Sequence, residues 1–337
     1  RIRRSATAWS HPTHARVYVV AKGGTIIADG NPGSDDPSQA DPIIFTTRED
    51  DVSDPNDLSA NLDGAWGGVI ILGNGPKNFP GSRNVEGIPS DVDRASFGSD
   101  NDDPNDDSGV FRFASIRYGG ISIGQGNEIN GLTMGALGAG TTIEYVEVFN
   151  NQDDGFEWFG GTVNTKYLIA AFPADDAFDI DEGFRGSNQF WLAVHGADEA
   201  GRIGEHDGGT DPEDGQPFAT SVVSNATYIG IGPGVSTADV SGDGENPFLY
   251  HRDNNATSYY NTIFMGGRTN AGLQIEDLGS GEDARERWLA GDLVHQDNLW
   301  FNIGPAFSDT TEFEDLIQIP RDDETGQPTG DGGEAYI

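Results

Sequence analysis

The phrase Asp153-Asp-Gly-Phe-Glu-Trp-Phe159 is followed, 22 positions later, by Asp175-Asp-Ala-Phe-Asp-Ile-Asp181. A period of that size matches one coil of a parallel β-helix, a solenoid whose coils bury their apolar side only by stacking on their neighbours. Stacked in register, the two phrases place Asp153 beside Asp175, Phe156 beside Phe178 and Glu157 beside Asp179, each pair about 4.8 Å apart, the spacing of adjacent strands.

Related phrases follow the pair: Asn164-Thr-Lys-Tyr167, Asn225-Ala-Thr-Tyr228, Asn261-Thr-Ile-Phe264 and Asn298-Leu-Trp-Phe301. Each sets an asparagine three residues before an aromatic. In a solenoid the asparagines would ladder along one bend while the aromatics stack inside. An antiparallel β-sandwich is the competing fold, since Asn-rich turns occur in any all-β protein. The fold expected is an all-β, single-stranded right-handed parallel β-helix with long acidic loops. The 48 glycines and 17 prolines suit it, and helical periodicity is confined to Gly281 to Leu293. One elongated domain is expected over residues 17–310. Residues 1–16, basic and without a signal-peptide core, fall outside it, and residues 311–337 form an acidic tail or an incomplete last coil.

Aspartate and glutamate number 56 against 19 lysines and arginines, for a net charge of -37. Only Lys22, Lys77 and Lys166 are lysines. Such a chain repels nucleic acid and anionic lipid. No cysteine is present, which removes disulfides, thiolate metal sites and cysteine nucleophiles. No run of 18 apolar residues exists, so no membrane-spanning helix is expected. The acids fit a surface adapted to high salt, a set of cation sites, or both.

The densest constellation is Asp153, Asp154, Glu157, Asp175, Asp176, Asp179 and Asp181, with Glu182 and Arg185 close behind. Carboxylates one strand apart repel unless a cation, an arginine or a proton intervenes. Calcium fits, because it takes six to eight oxygens. Acids facing brine and screened by salt remain the plainer reading. A second cluster is Glu205, Asp207, Asp211 and Glu213, with Asp214 and His206; beside these acids His206 is read as a transition-metal ligand or a general base, and the cluster otherwise as a loop aspartate cap or a calcium loop. The phrase from Asp239 imitates the start of a calcium loop, but Tyr250 stands where its glutamate belongs. Phe156, Glu157, Trp158 and Phe159 would floor a sugar groove, or else Phe156 and Trp158 point into the core. No serine-hydrolase elbow, phosphate loop or dinucleotide fingerprint occurs.

The phrases AKGGTIIADG, WGGVIILGN, SIRYGG, TIEYVEVFNNQDDGFEWFGGTVNTKYL, DDAFDIDEGFRG and EHDGGTDPEDGQP resemble a family of secreted parallel β-helix proteins of Bacteroidetes and related bacteria. Its members are described as lipoproteins or as bearing a type IX secretion sorting domain. The resemblance runs from Val17 to about Phe307. It implies an extracellular or outer-surface location and brings no agreed activity. Two functions are therefore carried forward. One is a non-catalytic surface protein that binds divalent cations, an extracellular glycan or a partner protein. The other is a polysaccharide lyase or glycoside hydrolase using Glu157, Asp179 and Arg185, a reading that rests on fold analogy.

Overall fold

A computed structural model of the 337-residue chain describes residues 7–10, 16–59, 61–92, 94–121, 128–196, 200–209, 211–235, 247–269, 271–278 and 283–318. Nine strands stack parallel in the first sheet: Arg16–Val20, Gly68–Leu72, Leu132–Gly135, Phe156–Phe159, Phe178–Asp181, Gly204–Asp207, Leu249–Arg252, Leu273–Ile275 and Ile317–Gln318. Thr7–Ser10 adds an antiparallel edge strand beside Arg16–Val20. The second sheet begins with Ile26–Asp29 and Ile43–Phe45, both paired with Gly109–Arg117, runs on through the long strands Thr142–Asn151 and Thr165–Pro173 and continues as short pairs such as Val222–Ser224 with Thr227–Ile229. The fold is a parallel β-helix, and the antiparallel sandwich is set aside.

One bend of these coils is made by a single residue. Phe113, Tyr145, Tyr167, Phe190, Asn225, Asn261 and Asp297 stand at one register position in seven successive coils, and every one has φ between 48° and 59°. One left-handed residue redirects a strand, so this column divides the second sheet into two faces. The expected asparagine ladder is thus half correct. Asn225 and Asn261 hold the corner, with Tyr228 and Phe264 fully buried inside. Asn164 and Asn298 do not. Tyr167 and Asp297 take the corner in their coils, and the two asparagines accept hydrogen bonds from Ser187 N–H and Thr262 N–H, both at 2.9 Å. Tyr167 and Phe301 consequently face outward.

Strand alternation sends Phe156, Trp158, Phe178 and Ile180 into the solenoid. There Phe156 stacks on Phe178 at 5.5 Å, Phe178 on Trp191 at 4.3 Å and Trp158 on Trp191 at 5.0 Å. The helix expected over Gly281 to Leu293 is shorter, Ala284–Ala290. Asp283 caps its first turn by accepting from Glu286 N–H, and Gly291 ends it with φ 78°. Ile317–Gln318 pairs with Leu273–Gln274, so residues up to 318 begin the last coil, and 319–337 lie outside the described residues.

The described part of the polar segment from Gly75 to Gly109 packs as a roof. It contains the hairpin Arg83–Asn84 with Ser96–Phe97. Its Phe79, Val85, Ile88 and Phe97 form a second apolar cluster with Ile70, Leu72, Ile129 and Phe159 on the outer side of the first sheet. That roof decides how much water reaches the acidic phrases.

Candidate metal centre

The alternation that buries Phe156 and Trp158 turns Glu157 outward, and Asp179 likewise. Glu157, Asp179 and Glu205 are neighbours across three successive strands. At the bend before the strands the chain stacks Asp154 below Asp176. The Asp154 carboxylate accepts the Asp176 N–H at 2.9 Å, and the Asp176 carboxylate accepts the Arg202 N–H. Each aspartate therefore supports the backbone of the following coil, which holds the acidic side chains in register.

Two groups of carboxylate oxygens gather within 4.8 Å: Asp153, Asp154 and Asp175, and Asp154, Glu157 and Asp179. Asp154 belongs to both. Asp154, Glu157 and Asp176 are buried, while Asp153, Asp175 and Asp179 are partly exposed. Asn130 donates its side-chain N–H to Glu157. Asp179 Oδ1 is buried with no hydrogen-bond partner. No lysine or arginine among the described residues pairs with Asp153, Asp154, Glu157 or Asp179. Arginines neutralise the later part of the row instead. Arg202 lies 3.1 Å from Glu205 and 3.9 Å from Asp176, and Arg252 grips Asp207 through two nitrogens.

Burial disfavours the charged form, and neighbouring carboxylates add to it. Desolvation followed by the Asp175 charge pushes Asp153 up to about 8. Asp154, Glu157, Asp176, Asp179 and Asp181 are raised well above the ordinary carboxylate range, burial being the largest cause in each. Two further acids belong here that sequence spacing did not show. Glu86, on the roof, is pushed up to about 7 by burial and by Glu128, and it presses electrostatically on Asp153 and Glu157. Nothing in the sequence links position 86 to position 157. A hard cation would replace the protons this crowd otherwise needs, and an all-oxygen donor set matches calcium or magnesium rather than zinc or copper.

The remaining expected site residues scatter. Arg185 stands apart from Glu157 and Asp179, its charged neighbour being Asp102. Asp181 faces Asp207. The second cluster is not one site. Glu205 and Asp207 are held by Arg202 and Arg252, and Glu213 gathers with Asp253 and Glu276. Asp211 is exposed near Glu182, whose carboxylate pairs with Arg83. His206 points inward. It is wholly buried, its Nδ1–H donates to the Glu205 carbonyl at 2.7 Å, and its Nε2 accepts from the Tyr259 hydroxyl at 2.6 Å. Its strand neighbour is His251, whose Nε2 lies 3.4 Å from His295 Nε2. A ligand or base at this acidic loop is therefore ruled out for His206. The calcium-like loop at Asp239 and Asp243 lies outside the described residues, while Tyr250 sits on a strand beside Glu205. The sugar-groove floor also fails, because Phe159 is covered by Phe97, their rings 5.8 Å apart.

Stacked parallel strands in two long sheets, with a roofed row of carboxylates on one of them, define the class as a parallel β-helix. The profile of the pectate-lyase-like β-helix domain matches residues 1–271, and the chain belongs to that family. No curated protein and no solved structure matches it. No helix among the described residues is long and apolar enough to cross a membrane.

Proposed function

We propose that this protein is a non-catalytic, extracellular or surface-exposed β-helix that binds divalent cations, calcium first among them, between Asp153, Asp154, Glu157, Asp175 and Asp179, in a high-salt setting. The observation that carries it is the shared carboxylate at Asp154: two oxygen groups meet there, partly roofed, with no lysine or arginine among the described residues paired to Asp153, Asp154, Glu157 or Asp179, beside the unpartnered Asp179 Oδ1. A site for an acidic polysaccharide would need exposed bases. Here the nearest arginines, Arg202 and Arg252, are already paired with acids. A glycan or a surface protein as partner is compatible with this reading, as is the secreted family suggested by the long phrases.

The test is calcium titration of metal-stripped protein in constant molar sodium chloride, read by calorimetry and by melting temperature. A ligand at a hundred times its Kd stabilises the folded state by about 2.7 kcal/mol. Calcium should therefore raise the melting temperature by several degrees, and Asp179→Asn should remove most of that gain with the fold intact. No heat, no bound metal by elemental analysis and an unchanged melt would defeat the proposal. Cleavage of an acidic glycan by the wild type but not by Asp179→Asn would establish the enzymatic reading in its place.

A further inference from the structure

Beyond the corner column the second sheet presents a face with a different composition. The outward positions of five successive strands are Ile169 and Ala171, Leu192 and Val194, Thr227 and Ile229, Ile263 and Met265, and Leu299 and Phe301, stacked in register. Their alternates Leu168, Ala170, Trp191, Ala193, Tyr228 and Phe264 are buried inside. None of the ten carries a charge, in a chain with 56 acids among 337 residues. Exposure reaches 37% at Ile263, 57% at Leu299 and 55% at Phe301.

The corner extends this strip toward the N-terminal coils. Phe113, Tyr145, Tyr167 and Phe190 form a comb with ring centroids 4.4, 4.3 and 5.0 Å apart. The comb walls a groove of about 510 Å³ floored by Ile169 and Leu192, with Glu147, paired to Arg117, at its N-terminal side. Its rings cover one another's faces, so ring edges meet the solvent. That geometry suits packing against apolar side chains and offers sugar rings little to stack on.

We propose that this face docks a second copy of the chain, two solenoids lying side by side. Charge selects the occupant. A basic partner would seek the carboxylate face, whereas another copy at -37 can approach closely only where no acid intervenes. Length agrees, because a strip running along the solenoid axis is matched by a body of the same length. The ten side chains leave on the order of 500 Å² of apolar surface, near the upper end for a monomer. Paired, two such faces remove about 1,000 Å², the threshold for a specific interface.

Sedimentation of the whole chain at tens of micromolar tests this. A dimer is expected in molar sodium chloride and a weaker one in low salt, where the two bodies repel. Leu299→Asp with Phe301→Asp should weaken association at least tenfold and leave the melting curve unchanged, since both side chains are exposed. Leu299→Cys, in a chain otherwise free of cysteine, carries an environment-sensitive dye that should shift to the blue as concentration rises. A monomer in molar salt at those concentrations overturns the proposal. So does a dimer that survives the double substitution with the dye unmoved, and so does a monomer whose dye responds only to zwitterionic lipid vesicles, which would assign the face to a membrane surface.

Discussion

Two regions of this solenoid bury titratable groups, and burial drives them in opposite directions. On the outer face Asp153, Asp154, Glu157 and Asp179 sit under a roof with their pKa values raised. In the interior of the later coils His206, His251 and His295 have theirs lowered, that of His251 to about 4. The physical cause is common, since loss of water disfavours whichever form is charged. The difference is what each side can do next. His206 and His251 are settled as neutral groups: His251 Nδ1 meets Asn255 Oδ1 at 3.0 Å and His206 meets Tyr259. The carboxylates are not settled, because each stays neutral only while it holds a proton that a divalent cation can displace.

The largest effect should come from the core under the acidic face. Trp158 lies directly beneath the acidic row and stacks on Trp191 and Phe184. Trp158→Ala should destabilise the protein by about 3–5 kcal/mol, read by denaturant unfolding. It should also abolish calcium uptake if the face depends on the core, whereas retained uptake would show the two regions to be independent.

Next in size is the dependence on pH, which separates the regions directly. An acid whose pKa is raised by folding gives stability below its unfolded value and loses it as pH climbs through the folded value. Metal-free protein should therefore lose stability from about pH 4 upward through about 8, where Asp153 titrates. A histidine lowered by folding does the reverse. Its contribution is complete above about 6.5 and fades toward about 4, the folded value of His251. Because the raised acids outnumber the lowered histidines, the metal-free melting temperature should peak at the acid end of these trends, at about pH 4 on the reference values. Calcium, by holding the carboxylates ionised, should move that peak above neutrality. A peak that stays in place with calcium would break the comparison.

Tyr259→Phe sharpens the interior side. It leaves His206 Nε2 buried without its donor, a loss of about 1–3 kcal/mol measurable by chemical denaturation, with calcium affinity unchanged. The smallest effect should be that of monovalent salt. Raising it from low to molar should lift the melting temperature by a few degrees through screening, and more in metal-free protein than in the calcium-bound form. Equal shifts in both would mean that the roofed carboxylates contribute little to the repulsion.

The sequence carried the acidic row because Asp153–Phe159 and Asp175–Asp181 belong to adjoining coils without an insertion, so spacing became register. It carried the inward turn of Phe156 and Trp158 for the same reason. It did not carry the histidine column. His206, His251 and His295 come from coils separated by long loops, and their neighbourhood exists only once those loops are excluded from the count. Nor did it carry the roof, since the segment from 75 to 109 is rich in aspartate and hides its few anchors, Phe79, Val85 and Phe97. The asparagine phrases misled at Asn164 and Asn298 because the corner asks for a left-handed residue and not for an amide. Tyr167 and Asp297 satisfy it when a neighbouring coil fixes them there.

That corner bears on how the chain finds its shape. For residues such as phenylalanine and tyrosine a left-handed conformation costs roughly 1–3 kcal/mol and persists only where surroundings impose it. A coil alone lacks those surroundings, so each of Phe113, Tyr145, Tyr167 and Phe190 can be bent into place only against a coil already wound. Assembly then proceeds as growth on a template, slow to nucleate and quick to extend, in the manner of a crystal adding layers. The coils 142–173, free of long insertions and joined to both neighbours by paired strands, are the natural seed from which it spreads.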